Sequence, residues 1–245
     1  MIKLSVVIPA YNEQDCISNT LNNLSFILEK EEISYEIIVV NDNSKDNTLE
    51  LLNNLSKLNP AIVPVNNRPP NGFGLAVRKG IEQTKGEYVA IVMADSSDDP
   101  NDLMLFLRKA EEERLDAVFG HRFIAGGSAI DYPRLKLILN RITNWTISLL
   151  FTNSYTDFTN AFKLYRKDTL NGLKPYLSNH FNLTVELPLK VIVRGYTYAI
   201  IPNQWVNRKD GESKLKIKEM GSRYWFIIFY CLIEKWLSLG DYKKS

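Results

Sequence analysis

Short apolar runs alternate with longer stretches of helical periodicity through the first half of the chain, and this alternation sets the expected architecture. Residues 4–8 form a β-rich run, after which Ile17, Leu21, Leu24 and Leu28 recur at helical spacing. A second apolar run at 36–40 precedes a helix carrying Leu49, Leu51, Leu52, Leu55 and Leu58. Strands are predicted again at 61–65, 88–93 and 117–120, with helices at 74–84 and 103–114 between them. Strand and helix alternating at this spacing predict an α/β fold with a parallel sheet covered on both faces. The second half is less regular: an amphipathic stretch at 134–151, a strand near 161–165, a helix at 183–194 and a strand at 198–201. No repeat or low-complexity linker marks a domain cut.

With 245 residues and 45% hydrophobic content, the chain can bury a full core in one α/β domain. A net charge of +2 is too small to imply general nucleic-acid binding, so any basic patch is local. Cys16 and Cys231 make no metal-ligand pattern and read as small packing residues in a reduced compartment. Residues 1–3 lead directly into a strand without the charged, apolar and small-residue order of a signal peptide, so a cytoplasmic protein is expected.

The most informative stretch is residues 89–100, an apolar run that ends in Asp95, Asp98 and Asp99. In an open α/β sheet, ligands sit in the crevice beyond the carboxyl ends of the strands. Carboxylates clustered there can hold a hard divalent cation against a nucleotide diphosphate, because Mg²⁺ binds through few protein oxygens plus phosphate oxygens. The alternative is a helix start in which Ser97 or Asp98 is the cap and Pro100 lies in the first turn. Pro9-Ala10-Tyr11-Asn12-Glu13 follows the first strand and residues 41–48 follow the second, so both fall on the same edge as Asp95. Tyr11 can stack on a base, Asp42 can accept from a ring N–H and Glu13 can take a ribose hydroxyl. Capping again competes, and it explains Asp46 better than Asp42.

The strings PAYNE, VVNDNSKDNT, NGFGLAVRKGI, MADSSDDP, TNAFKLYRKD and NRKDGESKL occur in the order found in inverting family-2 glycosyltransferases. The chain most resembles the dolichyl- or polyprenyl-phosphate mannose and glucose synthase branch, over about residues 2–218. The resemblance implies a nucleotide-binding glycosyltransferase A-type fold, with a central, mostly parallel sheet flanked by helices. It implies hexose transfer with inversion from a GDP- or UDP-sugar, assisted by Mg²⁺ or Mn²⁺, to a polyprenyl phosphate. By matching position, Pro9, Tyr11, Glu13 and Asp42 would hold the nucleoside. Asp95 would be the metal carboxylate, assisted by Ser97 or Asp98. Gly72 and Gly74 would let backbone approach the donor at a helix N-terminus. Arg122, Arg134 and Arg141 would meet phosphate, and a mobile loop with Arg208, Ser213 and Lys214 would close over the diphosphate. Glu186 would lie on the acceptor side.

The chain departs from the family pattern at Met93, where the first motif aspartate is expected, since a thioether is a poor ligand for Mg²⁺ or Mn²⁺. Ser97 replaces a frequent glutamine, and Asn41 and Asn43 replace an aspartate and a glycine beside Asp42. A phosphate acceptor needs no strong base. A sugar-hydroxyl acceptor, the second reading, needs one, with Asp157 or Asp98 nearest by position. A third reading is a nucleotide-sugar-binding subunit that lost turnover with the missing aspartate.

Residues 224–233 are too short to span a bilayer, and their basic flanks with Trp225 and Trp236 suit a helix lying in a lipid interface; a buried helix or dimer contact is the alternative. The expected organisation is a catalytic domain over 1–218 and a C-terminal helix over 219–245, peripheral at the cytoplasmic membrane face, with a membrane partner or a second copy as further options.

Overall fold

The computed structural model describes residues 2–207 and 217–244. Strands β1 (Leu4–Ala10), β2 (Tyr35–Asn41), β3 (Ile62–Asn66) and β4 (Tyr88–Ile91) alternate with helices α1 (Ile17–Lys30), α2 (Thr48–Leu58) and α3 (Phe73–Gln83). Helix α4 (Pro100–Glu112), β5 (Ala117–His121), β6 (Ser128–Ile130) and α5 (Arg134–Phe151) follow. The chain continues through β7 (Lys163–Arg166), α6 (Lys167–Gly172), α7 (Leu183–Val193), β8 (Tyr198–Pro202), β9 (Gln204–Val206) and α8 (Ile217–Leu237). Seven strands form one sheet in the order β3-β2-β1-β4-β7-β5-β8, and β6 pairs with β9 separately. All pairs are parallel except those of β7, which runs against both β4 and β5.

Strand periodicity sends neighbours to opposite faces, and the core divides accordingly. Leu4, Val6 and Ile8 pack with α1 and α4, whereas Val7, Val89, Ile91 and Phe119 pack with α3, α5, α7 and α8. Gly80 permits the close seating of α3, since a Cβ there would lie 2.4 Å from Val7 Cγ1.

Four differences from the sequence expectation bear on the site. The fourth strand ends at Ile91 rather than at Met93, which frees Val92 to Asp95 for the crevice. Helix α4 begins at Pro100 rather than Leu103 and is capped by Asp99, whose Oδ1 accepts the Asn101 N–H at 2.8 Å, and not by Ser97 or Asp98. The short β6–β9 ribbon was not predicted. Helix α8 begins at Ile217 and buries Ile227, Ile228, Cys231 and Leu232 in the second core cluster, so the expected boundary near residue 218 falls at the start of a helix sharing that core.

Candidate active site

Because β2 and β4 flank β1 on opposite sides, connections leave the carboxyl ends of β1 and β4 in opposite directions and open a crevice there. Three loops meet at it and are laced together. Asn12 N donates to Ser44 Oγ at 3.0 Å, Glu13 N to Thr48 Oγ1 at 2.9 Å, and Lys45 N to Asn12 Oδ1 at 2.8 Å. Thr20 Oγ1, on α1, donates to Ala94 O at 2.8 Å and lies 2.7 Å from Ser96 Oγ. Asn12, Asn43 and Ser96 have φ of 52°, 60° and 57°, so each loop turns through the left-handed region, which asparagine tolerates better than most residues. Asn43 thus serves where the resembling family has glycine.

Asp42 sits at the end of β2, almost buried, with Oδ1 accepting from Asn67 Nδ2 and Oδ2 from the Gly72 N–H, both at 2.8 Å. An ionised carboxylate offers about four acceptor positions, so these two bonds leave room for a ligand donor. Pro9 lies within β1, opposite Val40 of β2, and Tyr11 and Glu13 are partly buried in the loop after it.

The glycine loop is held from its far side. A Cβ on Gly72 or Gly74 would lie 2.3 Å from Asn179 O or 2.4 Å from Ser178 O, and Phe73 stacks on Phe181 with centroids 4.4 Å apart. Arg78 Nη1 and Nη2 donate to Tyr176 O and Ser178 O at 2.9 and 2.6 Å. Glu186, fully buried, accepts the Leu177 and Ser178 N–H groups at 2.8 and 2.7 Å and pairs with Lys190. Glu186 is therefore a brace for the loop behind Gly72 and Gly74. Arg78 and Asn67 were not singled out in the sequence, although Arg78 stands four residues after Gly74 on the same face of α3.

The acidic loop is closed from below. Asp95 accepts the Ser97 N–H at 3.2 Å, and Val206 N donates to Ser97 O at 3.1 Å, tying β9 beneath it. Asp98 turns inward, its Oδ2 accepting the Met93 N–H at 3.1 Å; burial, with Asp95 adding to it, pushes its carboxyl up to about 7. Ser97 Oγ is buried without a hydrogen-bond partner, and both residues line a cavity of about 260 Å³ between α1 and α4. Among the described residues, no three His, Cys, Asp or Glu side chains are grouped to hold a metal ion. The donor set therefore fits a hard cation only with Asp95 supplying protein oxygen and a substrate's phosphates supplying most of the rest, the arrangement usual for Mg²⁺.

Arg122, at the end of β5, makes a two-pronged pair with Asp157. Nε donates to Oδ2 at 2.9 Å, Nη2 to Oδ1 at 2.7 Å, and the Arg122 backbone N–H to Oδ2 at 3.0 Å. Burial penalises both charges, but the pairing outweighs it, holding Asp157 below the usual carboxylate range and Arg122 above its own. Asp157 is consequently unsuited to be a general base, which corrects that expectation, and much of the Arg122 charge faces Asp157 rather than a phosphate. Phe123, Tyr132 and Trp205 surround the Arg122 guanidinium, with centroids 5.4, 5.6 and 5.8 Å from Cζ. His121 accepts the Phe123 N–H at Nδ1 and contacts Thr156 Oγ1 through Nε2; burial lowers its basicity. Arg134 is exposed at the first turn of α5, and Arg141 packs over Phe123 and Trp145 while donating to Thr156 O at 2.9 Å. Arg208, Ser213 and Lys214 lie outside the described residues.

A family model, Glycosyl transferase family 2, matches residues 5–173. The chain is 27% identical over 223 residues to a dolichol-phosphate mannosyltransferase from Pyrococcus furiosus, covering 89% of this chain and 60% of the relative. It is 29% identical over 227 residues to the dolichyl-phosphate beta-glucosyltransferase ALG5C from Trichomonas vaginalis, covering 87% of this chain and 66% of the relative. The chain thus spans about two thirds or less of these relatives' length. Its fold is similar to glucosyl-3-phosphoglycerate synthase from Mycobacterium tuberculosis, a structure containing Mn²⁺, UDP and phosphoglyceric acid, with a TM-score of 0.68 at 16% identity, over 96% of this chain and 78% of that one.

Proposed function

Since the chain belongs to glycosyl transferase family 2, we propose that it transfers one hexose, with inversion, from a nucleotide diphosphate sugar to a polyprenyl phosphate. The observation that carries the reading is the convergence of the β1, β2 and β4 loops on one crevice, with Asp42 and Asp95 at its edge. Both curated relatives bear names of enzymes acting on dolichol phosphate, and the synthase of similar fold was solved with UDP and Mn²⁺.

In this reading Asp42, Tyr11, Pro9 and Glu13 seat the nucleoside, and Gly74 brings the N-terminus of α3 towards the donor. Asp95, with Ser97 and Asp98 behind it, would hold Mg²⁺ or Mn²⁺; when bound, the ion neutralises charge on the leaving diphosphate. Arg134, Arg208, Ser213 and Lys214 contribute donors to the phosphates, and Arg122, its donors engaged by Asp157, adds positive charge from beneath the crevice. An acceptor phosphate is already deprotonated, so the chain's task is to place its oxygen in line with the anomeric carbon and to exclude water. Asp157, held by Arg122, is not free to act as the base that a sugar-hydroxyl acceptor would need, which leaves Asp98 as the base for that second reading. The acceptor is reached peripherally at the cytoplasmic face of a membrane. No helix among the described residues is long and apolar enough to cross one.

The test is transfer by purified protein across UDP- and GDP-sugars with Mg²⁺ or Mn²⁺, with and without a short polyprenyl phosphate. Turnover of one donor that depends on the lipid phosphate is expected. Transfer to sugar hydroxyls alone, or donor binding without transfer to any acceptor, would refute the reading.

A further inference from the structure

The wall of the crevice around Asp42 is built largely of asparagine. Asn41 Nδ2 donates to Asn66 Oδ1 at 3.1 Å, and Asn41 Oδ1 accepts the Ser44 N–H at 3.2 Å, so one amide ties the end of β2 both to the end of β3 and to the loop that follows β2. Asn43 Nδ2 donates to Asn71 Oδ1 at 3.0 Å, and Asn71 Nδ2 donates to Asp42 O at 2.8 Å. Asn67 is fixed through its backbone, whose N–H donates to Asn41 O at 2.9 Å. Asn41 and Asn43, the two departures beside Asp42, thus hold the frame in which the carboxylate and Asn67 are set side by side.

That frame presents an ordered row of polar atoms. Asn67 Nδ2 lies on one side of the Asp42 carboxylate, 2.8 Å from Oδ1, and the Gly72 N–H lies on the other, with its nitrogen 2.8 Å from Oδ2. The row reads donor, acceptor, donor. An amide nitrogen carries two hydrogens and the bond to Asp42 uses one of them, so Asn67, which is only partly buried, has the other to offer a ligand.

The pairing edge of uracil is the complement of this row: a carbonyl, a ring N–H and a second carbonyl. Its N3–H meets an unused acceptor position on Asp42, and a flanking carbonyl meets the second Asn67 hydrogen. Guanine carries a carbonyl, a ring N–H and an exocyclic amine, and in either orientation its amine is set against a donor, Asn67 Nδ2 or the Gly72 N–H. Cytosine turns a ring-nitrogen lone pair towards the carboxylate. A site discriminates in this way because the wrong ligand leaves polar groups facing like groups without water to satisfy them.

We propose that the donor is a uridine diphosphate sugar and that Asn67 is the residue that selects its base. The proposal rests on the nucleotide-sugar reading of the crevice and names the nucleotide within it.

The test is calorimetric titration of the full chain with UDP, GDP and CDP in the presence of Mg²⁺, with no acceptor. UDP is expected to bind at least about tenfold more tightly than GDP or CDP, and UDP methylated at N3 should lose at least about tenfold in affinity. Asn67→Ala removes the selecting donor, so UDP should weaken by about five- to tenfold while GDP stays within about twofold, narrowing the preference. A purely structural Asn67 would weaken both nucleotides alike. Such a parallel loss, or GDP or CDP binding as tightly as UDP to the wild-type protein, would overturn the proposal and leave the transferase reading standing. Binding of none of the three would remove the nucleotide-sugar reading and the base assignment with it.

Discussion

Replacing Asp157 by alanine tests the site's buried electrostatics. The carboxylate accepts three hydrogen bonds from Arg122, and neither side chain has meaningful access to water. Removing it strands a guanidinium and a backbone N–H, and the buried Lys163 loses its favourable interaction with the same carboxylate. Breaking a buried pair from one side costs about 3–5 kcal/mol. For a chain of this size that corresponds to roughly 6–20 °C in melting temperature. Arg122→Met combined with Asp157→Leu removes both charges and is expected to recover most of that loss, since a buried pair is often replaceable by apolar residues. Urea denaturation of wild type, Asp157→Ala and the double variant, with m-values compared, measures each step. A loss below about 1 kcal/mol for Asp157→Ala, or a double variant no more stable than Asp157→Ala, would refute the account of the pair.

Asp42→Ala should cost about 1–3 kcal/mol in a denaturant melt by orphaning the Gly72 N–H, whereas Asp42→Asn should cost less, because Asn67 can turn its amide to accept; in the proposed reading both weaken nucleotide binding by calorimetry. Gly74→Ala drives a Cβ to 2.4 Å from Ser178 O, so a destabilisation of about 1–3 kcal/mol is expected, with weaker nucleotide binding as the glycine loop shifts. Burial lowers Lys163 to about 7, below its unfolded value, so the unfolded chain binds the extra proton between pH 7 and 10.5 and stability gains from this group as pH rises through that window. The stability difference between wild type and Lys163→Met should shift in favour of wild type over that window, by at most about 1.4 kcal/mol per pH unit. A difference independent of pH would show that Lys163 titrates normally.

The parallel half of the fold was legible because β1, β2 and β4 are buried on both faces and read as continuous apolar runs. The loops after those strands were legible for the same reason, since parallel order places them on one edge. The β6–β9 pairing was not, because three-residue strands with exposed side chains carry no periodic signal and join segments far apart in the chain. Asp157 was misassigned because it lies 35 residues from Arg122, and its polar character looks the same in sequence whether it faces substrate or a buried guanidinium. The bounds of α5 agreed with its sequence pattern, but which of its faces turns inward depends on Asn140, Asn144 and Thr159 meeting in space.

The reversed strand β7 has a consequence for synthesis of the chain on a ribosome. Once residue 91 has emerged, β3-β2-β1-β4 can assemble, but the outer edge of β4 has no partner until residues 163–166 arrive to pair with it. At ordinary translation rates the interval is roughly 4–14 s, during which an apolar strand edge is open to wrong partners. Nascent chains ending between β4 and β7 are therefore the ones that a chaperone should engage longest.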